Sequence, residues 1–263
     1  MRVALIQMTS VPDLDVNIKS ILNGIRKAKE HKADIVLFPE NCAFMGRGSE
    51  TLAAATEESR HPALLAAREA ALKYSIYVLL GSIAVYPSKN IKNKLANRSL
   101  FIDNLGKICG RYDKINMFDA TLSEKESYKE SDRYIAGSEI VTVENELGKI
   151  GLTICYDIRF PKLYSKLLDK GCNIITIPSA FTKNTGKDHW EVLIRSRAIE
   201  TCSWVLAPAQ IGIHYEKRET WGHSMVVDPW GKIAVEAKNN EDIILADIDI
   251  NKSDIVKKVW GKL

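Results

Sequence analysis

Short apolar runs bounded by Gly, Pro, Asn or Asp recur along this chain. They fall at Val3–Met8, Ile35–Phe38, Tyr77–Val85, Ser99–Ile102, Lys107–Tyr112, Ile140–Glu144, Ile150–Ile154, Asn173–Ile177, Trp204–Ala207, His223–Val227, Ile233–Glu236 and Ile244–Ile248. Most are β-branched or aliphatic, and the pattern predicts strands. Between several of them the apolar positions change to a helical period. Ile18, Ile21, Leu22, Ile25 and Ala28 share one face, with Asp15 as N-cap. Leu64, Leu65, Ala67, Ala71 and Leu72 make a second such face. Leu163, Leu167 and Leu168 mark a short helix, and Trp190, Leu193, Ile194, Arg197 and Ala198 another. The order is βαβαβ, a run of strands, βαβαβ, then strands again. So many strands overfill one compact doubly wound sheet. Two sheets packed face to face, with helices outside, accommodate them all. No long Gly/Ser/Pro linker interrupts the chain, so residues 1–263 read as a single domain. The two halves are alike in pattern without a sequence repeat.

Composition narrows the class. The 46% hydrophobic and 27% charged residues are those of a globular protein, which sets disordered and fibrous classes aside. The net charge of +4 is not gathered into a block. The densest basic run, Lys89, Lys92 and Lys94, is interleaved with Asn90 and Asn93, and it reads as a solvated loop rather than a nucleic-acid surface. The cysteines are Cys42, Cys109, Cys155, Cys172 and Cys202, an odd number with no C-x-x-C pair. That argues against a disulfide framework and a zinc ribbon, and fits a reducing compartment. The apolar run after Met1 is too short for a signal peptide, and no segment approaches the roughly 20 apolar residues of a membrane helix. A cytoplasmic protein with no membrane or nucleic-acid partner is expected.

Three strand ends carry candidate chemistry. Ile154-Cys155-Tyr156-Asp157-Ile158-Arg159-Phe160-Pro161 takes a buried strand into a thiol and then toward a helix. A helix N-terminus offers unpaired N–H groups and a positive dipole, which favour a thiolate and can hold an oxyanion. An inert core cysteine is the competing reading, and Cys172 and Cys202 fit it. Cys42, close to Glu40, is the main rival thiol. Phe38-Pro39-Glu40 places a carboxylate just past a strand, where burial would raise its pKa and suit a general base. A turn or helix cap explains Glu40 equally well. Lys114, in Tyr112-Asp113-Lys114-Ile115, is of a type that is ordinarily solvated, although its apolar neighbours point to partial burial. No histidine sits in a cysteine-protease signature. His189 and His223 read as structural, binding backbone carbonyls or shaping a pocket. No G-x-G-x-x-G after a strand, Walker A or G-x-S-x-G is present, so nucleotide binding and serine hydrolysis lack support.

In their order along the chain these segments resemble the nitrilase superfamily of carbon–nitrogen hydrolases. The resemblance covers nearly the whole sequence and implies an α/β fold, a four-layer α-β-β-α sandwich of two mixed sheets. It implies Cys155 as nucleophile, Glu40 as general base and Lys114 as the cation that stabilises the oxyanion with the Tyr156 backbone N–H. Glu130, in Lys129-Glu130-Ser131-Asp132, matches the family's second glutamate. The implied reaction passes through a cysteine thioester and needs no metal or organic cofactor. His189 to Thr201, and His214-Tyr215-Glu216-Lys217-Arg218 followed by Trp221-Gly222-His223-Ser224, are similar to amidases acting on α-keto acid amides, and the second stretch looks most like the deaminated-glutathione amidase branch. The implied substrate-binding residues are Arg159, Phe181 and Thr185. The implied reaction converts deaminated glutathione to 2-oxoglutarate and cysteinylglycine. An ω-amidase acting on 2-oxoglutaramate, a carbamoyl amidase or nitrilase, and a catalytically silent binding protein are the alternatives. A homodimer or higher homo-oligomer is expected, although the chain closes at Val259-Trp260-Gly261-Lys262-Leu263 without the family's Pro- and Arg-containing tail.

Overall fold

Alternation within the strands sorts the apolar residues onto two faces. The computed structural model describes residues 1–87, 94–124, 126–216 and 218–260, so Lys89, Lys92, Lys217 and the last three residues lie outside the described residues. The first half runs β1 (Arg2–Gln7), α1 (Leu14–Glu30), β2 (Ile35–Leu37), α2 (Gly48–Ala54), β3 (Thr56–Glu57), α3 (Pro62–Tyr74), β4 (Tyr77–Tyr86), β5 (Ala96–Ile102), β6 (Ile108–Asp113), β7 (Asp119–Ser123) and β8 (Glu126–Lys129). The second half runs β9 (Thr142–Asn145), β10 (Gly148–Leu152), α4 (Pro161–Asp169), β11 (Ile174–Thr176), α5 (Lys183–Thr201), β12 (Trp204–Ala207), β13 (Ile211–Ile213), β14 (Glu219–Trp221), β15 (Met225–Val227), β16 (Ile233–Glu236), β17 (Asp242–Asp247) and α6 (Asn251–Trp260).

One sheet has the order β17-β1-β2-β4-β5-β6, with β3 pairing off β4; the other has the order β16-β15-β12-β11-β10-β9. Each is built around a parallel trio, β1-β2-β4 in one and β10-β11-β12 in the other. Antiparallel strands flank both trios. The two halves therefore share a topology that their residues do not advertise. Val3, Leu5, Ile35, Leu37 and Leu79 pack with Ile150, Leu152, Ile174 and Leu206 of the opposing sheet. Their neighbours Ala4, Ile6, Val36, Val78 and Leu80 turn the other way and meet Ile21, Ile25, Leu64, Ala67 and Ala71 of α1 and α3. Strands buried on both faces read as continuous apolar runs, which is how these read in the sequence. The expected four-layer sandwich of two mixed sheets is the fold observed.

Every strand expected from the sequence joins one of the two sheets; Trp204–Ala207 and Ile233–Glu236 keep their expected ends, and the others have shifted ends. The differences lie outside the apolar runs. Asp13, not Asp15, caps α1: its carboxylate accepts the Val16 N–H at 3.1 Å, and Asp15 sits inside the first turn. Helix α5 begins at Lys183, ahead of its apolar stretch, where the Thr182 hydroxyl caps it. The hairpins β7–β8 and β13–β14 were not expected, because their residues alternate weakly and are partly exposed. No helix among the described residues is long and apolar enough to cross a membrane.

A close backbone approach fixes one glycine. A Cβ on Gly81 of β4 would lie 2.0 Å from the Phe38 carbonyl oxygen and 2.5 Å from Pro178 Cβ. Just beside it the Cys42 N–H donates to the Ser82 carbonyl, and the Asn41 N–H donates to the Ser82 hydroxyl. The segment carrying Glu40 thus lies directly on β4. Gly81→Ala is expected to destabilise the protein by at least about 1–3 kcal/mol, the usual cost of overpacking, measured as a lowered midpoint in denaturant unfolding.

Candidate active site

Sheet geometry brings three distant segments to one point. Beyond the end of β2, the Phe38 N–H still pairs with the Leu79 carbonyl (2.9 Å), and the chain then leaves the sheet through Pro39 to Glu40. Beyond β6, the Lys114 N–H pairs with the Asn97 carbonyl (3.0 Å), so that Lys114 stays aligned with β5. Beyond β10, Cys155 opens a five-residue 3-10 turn, Cys155–Arg159. β2 and β10 belong to the parallel trios, and β6, antiparallel to β5 as β5 is to β4, runs in the direction of β4, so their ends converge on one edge of the sandwich, the place where open α/β sheets gather ligands.

The side chains meet in a buried ionic cluster. Lys114 is 2% exposed and Glu40 4%. The Lys114 ammonium donates to Glu40 Oε1 at 2.8 Å and to both Glu130 oxygens at 3.1 and 2.9 Å. Asn97 Nδ2 bridges the same carboxylates, at 3.0 Å to Glu40 and 3.1 Å to Glu130. The Ala180 N–H donates to Glu40 Oε2 at 2.9 Å, and the Phe118 N–H to Glu130 Oε2 at 2.7 Å. The structure thus brings together Glu40, Glu130, Lys114 and Cys155. Asn97 was missed; its only signal was an amide inside the apolar strand Ala96–Ile102.

Burial and pairing oppose each other in this cluster. Burial alone would raise the Glu40 pKa. The Lys114 charge, the Lys114 hydrogen bond, the Cys155 thiol and the Ala180 N–H together hold it below the ordinary carboxylate range. The raised pKa expected for this carboxylate is therefore not found. Burial also disfavours the charged form of Lys114, but Glu130 and Glu40 outweigh it and keep the ammonium charged well above its usual range. The expectation of a Cys155 thiolate is likewise corrected. Burial pushes that thiol well up, the Glu40 carboxylate pushes it further, and Lys114 only partly compensates. No helix dipole rescues it, because α4 begins six residues later at Pro161. The resting site is therefore a thiol beside a carboxylate.

The turn at Cys155 is strained and anchored. Its φ is +48°, the left-handed region that costs a side-chain-bearing residue free energy and recurs at functional sites. The Cys155 N–H donates to the Pro178 carbonyl at 2.9 Å, whereas the Tyr156 N–H has no acceptor among the described residues. Asp157 clamps the turn to the opposite sheet. It accepts from the Ile154 N–H (2.9 Å), the Tyr112 hydroxyl (2.6 Å), the Asn116 N–H (3.0 Å) and the Asn116 amide (2.8 Å). The nucleophile candidate and the Lys114 strand end are thus tied by one carboxylate.

Two cavities meet at Cys155. One, of about 370 Å³, is lined by Glu40, Lys114, Glu130, Tyr128, Tyr215 and Arg218 among others. The second, of about 20 Å³, is lined by Tyr156, Arg159, Phe181, Thr182 and Thr185. Arg159, Phe181 and Thr185 thus lie together: the Arg159 guanidinium sits 5.2 Å over the Phe181 ring. Cys42, the rival thiol, is fully buried, and burial pushes it up to about 12; its Sγ lies 3.4 Å from the Ser82 carbonyl, away from both cavities. Of the two structural roles expected for His189 and His223, ring contact with a backbone carbonyl is not found among the described residues. His189 Nδ1 lies 3.2 Å from Arg159 Nη2, and His223 reaches Glu236 (2.8 Å) and Asn239 (3.1 Å). Among the described residues no group of three or more His, Cys, Asp or Glu side chains could hold a metal ion.

The carbon–nitrogen hydrolase family model matches residues 2–258. The chain belongs to this family, within the nitrilase superfamily. A deaminated glutathione amidase from Synechocystis is 37% identical, with 99% of this chain and 96% of that protein covered. A probable hydrolase, nit2, of Schizosaccharomyces pombe is 40% identical, with 97% and 93% covered. The solved structure of Saccharomyces cerevisiae Nit3, a member of branch 10 of the superfamily, superposes with a TM-score of 0.88 at 28% identity, covering 98% of this chain and 93% of that one. As a member of this family the protein is an amidase that hydrolyses carbon–nitrogen bonds other than peptide bonds, and family members act on small molecules.

Removing the cation tests the electrostatics. Lys114→Met leaves two buried carboxylates facing one another, and a loss of roughly 3–5 kcal/mol is expected. In the parent, Glu40 is depressed, so its contribution is present above the ordinary carboxylate pKa and is lost as pH falls through the folded value. In the variant the main opposition to burial is gone, and burial raises Glu40 against the remaining hydrogen bonds from the Cys155 thiol and the Ala180 N–H. The native state then holds more protons than the unfolded chain, so stability should fall as pH rises above about 4.3. Denaturant titrations of both proteins across pH would show opposite slopes in acid.

Proposed function

We propose that Cys155 attacks the carbonyl of a small-molecule amide while Glu40 takes the thiol proton and returns it to the departing amine. The observation that carries this reading is the Cys155 thiol beside a Glu40 carboxylate that is kept charged, in full burial, by Lys114. A thiol is a weak nucleophile until its proton has an acceptor in place, and this acceptor is already ionised at neutral pH. As the tetrahedral intermediate forms, Lys114 and the Tyr156 N–H hold the oxyanion. Removing one such donor typically costs about 10²–10³ in rate. A water activated by Glu40 then hydrolyses the thioester. Glu130 holds Lys114 in position.

We infer deaminated glutathione as the substrate, cleaved to 2-oxoglutarate and cysteinylglycine, with its 2-oxo acid end against Arg159, Phe181 and Thr185. The similarity to deaminated glutathione amidases supports this, as does a small cavity that pairs a guanidinium with a hydroxyl beside the thiol. The reading extends to a single catalytic domain over residues 1–263 and to a cytoplasmic enzyme, the latter supported by five free cysteines. It also includes a homo-oligomer. Supporting that, Trp230 stacks on Trp260 with both exposed, and the side chain of exposed Ile199 lies against Gly231.

A substrate panel tests the assignment. Deaminated glutathione should turn over faster than 2-oxoglutaramate, nitriles or carbamoyl amines, and the reverse order would overturn the substrate. Cys155→Ala should lose more than about 10³-fold in kcat; full activity in that variant would overturn the mechanism. Because Glu40 titrates low and Cys155 and Lys114 titrate high, kcat/KM should be flat through about pH 6–8, with no step in the histidine range.

A further inference from the structure

Arg218 is the one charged group at the cavity that the mechanism leaves unused and unneutralised by a carboxylate while its donor is buried. It stands between the hairpin strands β13 and β14. Its Nη2 donates to the Ala180 carbonyl at 3.1 Å, and its guanidinium lies 4.5 Å over the Tyr128 ring. Nη1 is buried and has no acceptor. The other cations of the cavity are accounted for differently. Lys114 pairs with Glu40 and Glu130, Lys129 with Asp132, and Arg133 is exposed to water. Among the described residues no carboxylate lies within ion-pair distance of Arg218. An arginine cannot shed its proton, so a buried N–H without an acceptor is a standing cost. Such a cost is offset when an anion arrives, and a guanidinium stacked on an aromatic ring is already oriented to receive one.

The position of Arg218 says which part of a substrate that anion belongs to. The small cavity of Arg159 and the large cavity of Arg218 share Phe118, Cys155 and Ala180, so they adjoin at the thiol, with Arg159 lining one and Arg218 the other. An amide attacked by Cys155 with its acyl end turned toward Arg159 has the larger cavity open to its amine end. Arg218 also lines an outer cavity of about 470 Å³, which shares Ser127, Tyr128 and Tyr215 with the large one. It therefore stands where the leaving group exits.

We propose that Arg218 binds a carboxylate on the leaving amine, so that the enzyme is built for amides whose amine is an amino acid or short peptide with a free C-terminus. This rests on the amidase reading above and specifies it. It makes Arg218 a specificity residue, and it disfavours primary amides that release ammonia.

The test is a series that keeps one 2-oxoglutaryl acyl group and varies the amine: ammonia, glycine, glycinamide, cysteinylglycine and cysteinylglycinamide. The readout is the ratio of kcat/KM for each free acid to that of its amide-capped twin. The parent should prefer the free acid by about 10- to 100-fold, the scale of one charge-assisted hydrogen bond. Arg218→Gln retains an N–H that can donate to the Ala180 carbonyl but removes the charge, and its ratio should fall to within about twofold. Arg218→Lys should keep an intermediate preference, since a point charge replaces the fork. A purely structural role would lower both members of each pair together and leave the ratio at the parental value, which overturns the proposal. Equal use of free and capped amines by the parent overturns it too, with the amidase reading intact. A preference for glycine over glycinamide that depends on Arg218, without turnover of the cysteinylglycine amide, would remove deaminated glutathione while leaving Arg218 its role. Turnover of no member removes both.

Discussion

A lysine ammonium buried between two carboxylates is the constraint around which this structure is arranged. Lys114 is 2% exposed and touches Glu40 and Glu130 within 3.1 Å. Any one of these charges alone in such a place would be expelled or neutralised. Together they are tolerable only if every remaining lone pair is met, which is why Asn97, the Ala180 N–H and the Phe118 N–H all point at them. Those partners come from β5, from the segment after β11 and from the loop after β6. The cluster can therefore form only when both sheets are packed.

Its chemical effect is to separate two groups that titrate near one another in water. A carboxylate and a thiol in a dry pocket would both tend to be neutral. The ammonium favours the anion of each, but Glu40 receives its direct hydrogen bond and the Ala180 N–H besides. The carboxylate therefore holds the charge and the thiol keeps the proton. That ordering gives a proton acceptor poised beside its donor without a histidine. It also explains why a position resembling a helix N-terminus was a poor guide to the ionisation of Cys155: a full buried charge at hydrogen-bond range outweighs the dipole of a helix that starts six residues away.

Legibility in the sequence followed burial. The central strands of both sheets are buried on both faces and so announce themselves as apolar runs, and Glu40, Lys114 and Cys155 each sit one to three residues past the end of a strand. The hairpins β7–β8 and β13–β14 bear Tyr128 or flank Arg218, yet they were silent, because their residues are held by side-chain contacts rather than by an apolar face. Asn97 was hidden for a related reason: an amide in a strand declares neither its orientation nor its partners. The doubling of the fold showed only as a likeness of pattern between the halves and not as a sequence repeat, since topology is kept by strand direction and order, which many residue choices satisfy.

The sequence by itself determined the strands, their helical crossovers and hence two layers of sheet, because periodicity and burial are local consequences of residue type. It also determined which side chains end the strands. Only the tertiary structure decided that Glu40 is charged, that Cys155 is not, and that Arg218 has no carboxylate partner among the described residues. Ionisation depends on which charges lie within a few ångströms and how little water remains, and those neighbours are separated by tens of residues along the chain.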